Sequence, residues 1–237
     1  MRSIWHDVEC GAYEADLRLW EELADEAGGP VLDLGCGTGR VALHLASRGH
    51  RVLGLDSDTG LIDVLAERSR GLPVEAEVGD ARGFELGAEF GLALAPMQIL
   101  QLFPDAEARI DCLACAAAHV RPGGLVAAAI VDDLPIADAA SAPLPDAREV
   151  GGWVYSSLPL ETVLDGDAIV VRRLRQAVSP DGELSEEVDE VRLQMLDAAT
   201  IEGEARQAGL RPVGRREIPP TGDHIGSTAV LFENEEA

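Results

Sequence analysis

The stretch 31-VLDLGCGTGR-40 decides how this chain folds. An apolar run, Val31 to Leu34, is followed at once by Gly35, Gly37 and Gly39, and then by the helical pattern 40-RVALHLASRG-49. A strand that turns through glycines into a helix brings backbone close to whatever lies at the turn. A second strand, 51-RVLGLD-56, and a helix, 59-TGLIDVLAERSRG-71, come next, with Ser57 or Asp58 as a helix cap. Further strands are expected in 74-VEAEVGD-80, 90-FGLALAP-96 and 125-LVAAAIVDD-133, with 105-DAEARIDCLACAAAHV-120 as a helix and RPGG at 121–124 as the turn before the fifth strand. Strands alternating with helices imply a parallel sheet with right-handed crossovers.

Upstream, 12-AYEADLRLWEELADEAG-28 places Leu19, Trp20, Leu23 and Ala27 at helical spacing. Downstream the period changes to that of strands. The segments 152–164, 168–180 and 185–196 read as an antiparallel sheet joined by turn residues, and the proline-bearing segment 135–152 reads as a connecting loop. Helix returns at 197–209, and strands at 210–218 and 227–233 close the chain. The expected fold is α/β: a Rossmann-like, mostly parallel seven-stranded sheet with helices on both faces and a small antiparallel insertion after strand five. Four parts are expected: a helical cap at 1–29, a cofactor-binding core at 30–133, the insertion at 134–196, and a closing helix and strands at 197–237.

Composition narrows the function. The 237 residues carry 43 acidic and 19 basic side chains, a formal net charge of −24, and no lysine. Such a chain is repelled by phosphate backbones, so no nucleic-acid or membrane partner is expected. No apolar run approaches the roughly 20 residues a membrane span requires, and the N-terminal residues lack a signal-peptide pattern, so a cytoplasmic monomer or homodimer is expected. Cys112 and Cys115 form a CxxC within an alanine-rich helix, with no second cysteine pair, and read as packed thiols.

The glycine spacing discriminates among cofactors. A dinucleotide fingerprint has G-x-G-x-x-G, but the sixth position counted from Gly35 is Arg40, which weakens a nicotinamide-dependent oxidoreductase. A triphosphate loop needs a lysine this chain does not have. S-adenosylmethionine has an amino-acid end, a ribose and an adenine, and no pyrophosphate. Asp56, about 20 residues after the first glycine, ends the second strand where a carboxylate can accept from both ribose hydroxyls. Asp80 follows the third strand, placed for the adenine amino group.

Taken in order, VLDLGCGTGR, VLGLDSD, VGDAR and RPGG resemble the class I S-adenosylmethionine-dependent methyltransferases, over about residues 10–133. The resemblance implies that Asp33, Gly35, Cys36 and Gly37 border the methionine moiety. It implies that Asp56 holds the ribose, Ser57 and Leu61 flank the adenine, Asp80 and Ala81 meet its edge, and Ala95 to Met97 run under the sulfonium. The insertion resembles that of the small-molecule subgroup, where it lids the site and an N-terminal helix supplies a tyrosine; Tyr13 is the candidate here, then Trp20. The implied activity is methyl transfer to a small-molecule acceptor, with a cofactor-binding scaffold lacking catalysis as the alternative. Polar groups expected to face the acceptor are Gln98, Gln101, Asp132, Asp133, Tyr155 and His224, the last as a general base. Strand four ends without a carboxylate, so no metal is expected.

Overall fold

The computed structural model describes residues 2–132, 144–222 and 224–235. The strands β1 (Val31–Leu34), β2 (Val52–Asp56), β3 (Val74–Val78), β4 (Phe90–Ala95) and β5 (Val120–Ile130) alternate with the helices α3 (Arg40–Ser47), α4 (Thr59–Arg68) and α5 (Ala106–His119). Two helices, α1 (Arg2–Cys10) and α2 (Leu17–Ala27), precede them. After β5 come β6 (Asp146–Val150), β7 (Trp153–Asp165), β8 (Ala168–Val178) and β9 (Leu184–Gln194), then α6 (Ala198–Gln207), β10 (Leu210–Ile218) and β11 (Ser227–Asn234).

The main sheet has the order β10-β11-β5-β4-β1-β2-β3, with β1, β2, β3, β4 and β5 parallel and β11 antiparallel to both neighbours. The direction of chain winding reverses between β1 and β4. In such sheets the crevice at the strands' carboxyl ends, at this switch point, is the usual ligand position. All residues of β1 and β4 are buried, as strands covered on both faces require. One core packs α5 and α6 against the sheet through Leu32, Leu34, Phe90, Leu113, Ile201 and Phe232. The other packs α2 and α3 through Trp20, Leu23, Leu45, Leu92, Leu94 and Leu231.

Helix starts follow the capping chemistry of their sequences. Asp58 accepts from the Gly60 and Leu61 amides, Asp105 from Ala108, and Asp197 from Thr200. Each satisfies a donor the first helical turn leaves open, typically worth about 1 kcal/mol.

The second sheet is antiparallel in the order β6-β7-β8-β9. It has one strand more than the sequence reading expects: residues 146–150, assigned to a loop, pair with β7 from Asp146↔Ser157 to Val150↔Trp153. Three of their five side chains are charged, so β6 has the composition of an edge strand and shows no apolar alternation. Helix α1 joins this sheet to the core. Trp5 and Val8 pack with Ala177 and Tyr155, while Glu9 accepts two bonds from Arg175 at 2.8 Å and one from Ser157 at 2.8 Å. On its opposite side α1 holds the core through Asp7, which pairs with Arg68 and accepts from Thr38 at 2.7 Å. Gln101, in the short 3-10 turn Ile99–Leu102 after β4, donates to the carbonyls of Val131 and Gln194 and accepts from the Val131 amide at 2.8 Å.

Candidate active site

The glycine turn is built around Asp56. One carboxylate oxygen accepts from the Gly37 amide and the other from the Asp58 amide, each at 2.9 Å. The Gly35 and Cys36 amides both donate to the Leu55 carbonyl, which binds the turn to β2. Gly35 and Gly37 have φ of +65° and +56°, a region that disfavours any residue with a Cβ. A Cβ at Gly35 would fall 2.3 Å from Ile99, and one at Gly37 would fall 2.2 Å from the His6 imidazole. The turn is thus closed on one side by a β4-end side chain and on the other by helix α1.

Two adjoining cavities open at the carboxyl ends of β1, β2 and β4. The larger, about 470 Å³, runs from the glycine turn to the inserted sheet; its walls include Asp33, Met97 and Gln98 from the core, His6 and Glu9 from α1, and Val171, Arg173, Val191 and Leu193 from β8 and β9. The smaller, about 360 Å³, holds Asp80, Ala81, Arg82, Phe103 and Pro104. Gly35, Asp56, Ser57, Ile99 and Leu102 border both, so the two form one cleft.

Asp33 is the electrostatic anomaly of this cleft. It is 1% exposed, and neither carboxylate oxygen completes a hydrogen bond. Burial pushes its carboxyl up to about 7, against the opposing pull of Arg40 and the Ala42 amide. Arg40 cannot neutralise it fully, because its guanidinium grips Asp16 at 2.5 and 2.8 Å, donates to the Tyr13 carbonyl and lies over the Tyr13 ring. A buried carboxylate without a partner costs stability unless a ligand completes it. Another local strain lies across the cleft: Met97, just past β4, has φ of +54° and is the one non-glycine residue with positive φ among the described residues. Such residues persist where the surrounding structure fixes them and cluster at functional sites.

Residues 31–124 match the family model described as "Methyltransferase domain". That stretch, about two fifths of the chain, is similar to methyltransferase domains and lies on the Rossmann-like sheet. Among curated proteins it is 35% identical over 97 residues to the cypemycin N-terminal methyltransferase of a Streptomyces species; the match covers 41% of this chain and 40% of that protein's length. Among solved structures it is similar to an amino pentose methyltransferase of Micromonospora echinaspora, with TM-score 0.73, 18% identity, and coverage of 98% of this chain and 96% of that one. It is also similar to a sugar N-methyltransferase of a Streptoalloteichus species, with TM-score 0.75, 17% identity, and coverage of 96% and 90%. At these identities the structures bear on the fold alone.

Most of the sequence-derived residues of the methyltransferase domain meet in the cleft: Asp33, Gly35, Cys36, Asp56, Ser57, Leu61, Met97 and Gln98 in the larger part, Asp80 and Ala81 in the smaller. Gly37 sits beneath His6. Asp80 is engaged with its neighbour Arg82, whose hydrogen bonds hold its carboxyl down to about 2. Other assignments need correction. Trp20 is fully buried in the core, its indole donating to Asp16 at 2.8 Å, and it does not reach the cleft. Tyr13 is buried against Arg40 and His224, and Ala95 is packed in the core one residue before the cleft wall begins. Tyr155 packs on Trp5 and Trp153 at the α1–sheet contact. His224 closes a turn with Thr221 and its ring lies 4.9 Å from that of Tyr13, away from the lining residues. Gln101 is a structural tie rather than an acceptor contact, Asp132 is exposed, and Asp133 lies outside the described residues.

The sequence reading missed the contribution of α1 to the cleft. Arg2, His6, Glu9 and Cys10 all line the larger cavity. Arg2 reaches Asp58 at 2.9 Å across the cleft mouth. Burial lowers the His6 pKa, against the opposing charges of Asp7 and Asp56, so its imidazole is neutral at neutral pH. The signal was the helical spacing of Trp5 and Val8, and of Arg2, His6 and Glu9, which the polar residues between them obscure.

Proposed function

We propose that the chain transfers the methyl group of S-adenosylmethionine to an amine nitrogen of a small molecule held beneath the inserted sheet. The observation that carries this is the unpartnered Asp33 carboxylate at the floor of a cleft that continues from the glycine turn to the β8–β9 wall. Asp33 has the charge to hold the cofactor's ammonium, Asp56 the ribose hydroxyls, and Ser57, Leu61, Asp80 and Ala81 the adenine. When bound, the cofactor supplies a methyl on a sulfonium, a strongly activated donor with a neutral leaving group.

What remains for the protein is to align the acceptor, exclude water and receive one proton. Val171, Val191 and Leu193 give the acceptor half an apolar wall, which favours the neutral, nucleophilic form of an amine. Glu9 is poorly suited as a base: burial would raise its pKa, but the bonds from Arg175 and Ser157 hold it low. The neutral His6 is the imidazole available in the lining, in place of His224. Nitrogen acceptors are supported by the similarity to an N-terminal methyltransferase and a sugar N-methyltransferase. The same reading takes residues 30–133 as the cofactor-binding part and 134–196 as the acceptor lid, in a cytoplasmic enzyme.

The test is calorimetric titration with S-adenosylhomocysteine, followed by incubation with S-adenosylmethionine and matched amine and alcohol panels while demethylated cofactor is measured. Turnover with amines alone supports the proposal. Tight cofactor binding with no turnover on any panel member would assign the chain as a cofactor-binding scaffold instead.

A further inference from the structure

The acceptor half of the cleft contains two charged side chains on facing walls, and the structure spends them unequally. Glu9, on α1, is saturated: one oxygen accepts from Ser157 and Arg175 and the other from Arg175 again, each at 2.8 Å. Arg173, on β8, lines the same cavity with its side chain 24% exposed. Its hydrogen-bonding partner is Asp146 on the edge strand β6, reached through one guanidinium nitrogen at 3.0 Å. A guanidinium carries five N–H donors in a planar fork that matches the oxygens of carboxylate and phosphate. Among the described residues no hydrogen bond engages the other four, at the polar end of a wall otherwise formed by Val171, Val191 and Leu193.

The other arginines of the cleft differ. Arg40 is consumed by Asp16 and the Tyr13 carbonyl, and Arg82 is held by Asp80 in the smaller part; Arg2 also makes a single bond, to Asp58, but it stands 81% exposed at the mouth and not on the acceptor wall. In a chain of net charge −24, an anionic acceptor meets a repulsive field until it reaches a local cation. Arg173 is such a cation, and it stands on β8 of the inserted sheet and not on the elements that form the glycine turn.

We infer that Arg173 is a specificity-determining residue that receives an oxyanion of the acceptor, a carboxylate or a phosphate, while the acceptor's amine faces the β4 end of the cleft. The inference rests on the proposed methyl transfer to an amine. Asp146 then competes with the acceptor for the same guanidinium, so the two residues have opposite effects. Removing Arg173 weakens anion binding, whereas removing the charge of Asp146 strengthens it. A pair that served only to fix β6 to β8 would give both substitutions the same sign.

The test uses the full chain loaded with S-adenosylhomocysteine and two pairs of probes: glucosamine 1-phosphate against glucosamine, and alanylalanine against its C-terminal amide. Affinities are measured by calorimetry for the unsubstituted protein and for Arg173→Met, Arg173→Lys and Asp146→Asn. The expected result is at least a tenfold preference for the anionic member of one pair, which also says whether phosphate or carboxylate is read. Arg173→Met removes that preference, Arg173→Lys retains part of it, and Asp146→Asn increases it severalfold. Equal affinity within both pairs, a preference that survives Arg173→Met, or a loss on Asp146→Asn equal to that on Arg173→Met would each overturn the assignment. Failure of the unsubstituted protein to bind S-adenosylhomocysteine would instead overturn the proposed function.

Discussion

The substitution Asp33→Asn tests whether the unpartnered carboxylate is the cofactor's anchor. In the unfolded chain this carboxyl titrates near the ordinary value of 3.8; in the fold burial raises it to about 7. Between those values the native state retains a proton that the unfolded state has lost, so stability falls as pH rises from about 4 to about 7 and is level above that. The shift of roughly three units sets a ceiling of about 4 kcal/mol on the effect. An asparagine amide cannot ionise, so the variant should lose clearly less stability than the unsubstituted protein between pH 5 and pH 8, both without cofactor, in urea unfolding. Cofactor affinity should respond in the opposite sense. An ammonium favours ionised Asp33, so affinity for S-adenosylhomocysteine should increase as pH rises through 7. A charge-assisted bond worth about 1.5–3 kcal/mol should make the variant bind roughly 10- to 100-fold more weakly at pH 8, with a flatter pH profile. Equal affinity and an unchanged profile in the folded variant would refute the anchoring role.

Asp56→Ala should weaken cofactor binding at least about 10-fold in calorimetry and also lower the melting temperature, because the Gly37 and Asp58 amides lose their acceptor. Gly37→Val should lose binding by displacing His6 and straining a left-handed backbone, so the α1 contacts should exchange deuterium faster than in the unsubstituted protein. His6→Ala should reduce turnover of an amine acceptor by about 100-fold or more, the usual weight of a general base, while His224→Ala changes it less than about 3-fold. Arg109→Met leaves Glu204 buried without its two guanidinium bonds, at 2.6 and 2.8 Å, and should cost about 3–5 kcal/mol in urea unfolding.

The core was legible because its rules are local. Gly35 and Gly37 announce a left-handed turn, Asp56 ends a strand at a fixed distance from it, and Val31 to Leu34 and Phe90 to Ala95 are apolar runs of strand length. What escaped depends on partners far along the chain. Asp7 and Glu9 look like ordinary solvated charges on a short helix until Arg68 and Arg175, 61 and 166 residues away, are brought to them. Strand β6 has no period of its own because its pairing with β7, and the Arg173–Asp146 contact, hold it in place. Tyr13 and Trp20 were misplaced for the converse reason: an aromatic at helical spacing reads the same whether it faces a cleft or the core. Asp16 decides the matter by taking both the Trp20 indole and the Arg40 guanidinium.

The Gln101 amide meets the chain at two points: Val131, where it leaves the main sheet, and Gln194, where it is about to return. Those points lie far apart in sequence, yet one side chain spans them in space. Departure and return are therefore clasped together whatever lies between. Because the entropy of closing such an excursion grows only slowly with its length, a longer or shorter replacement would burden the main sheet little. The excursion is in effect a cassette. A chimera joined at Val131 and Gln194, with Gln101 retained, is the natural place to exchange the inserted sheet without redesigning the main sheet beneath it.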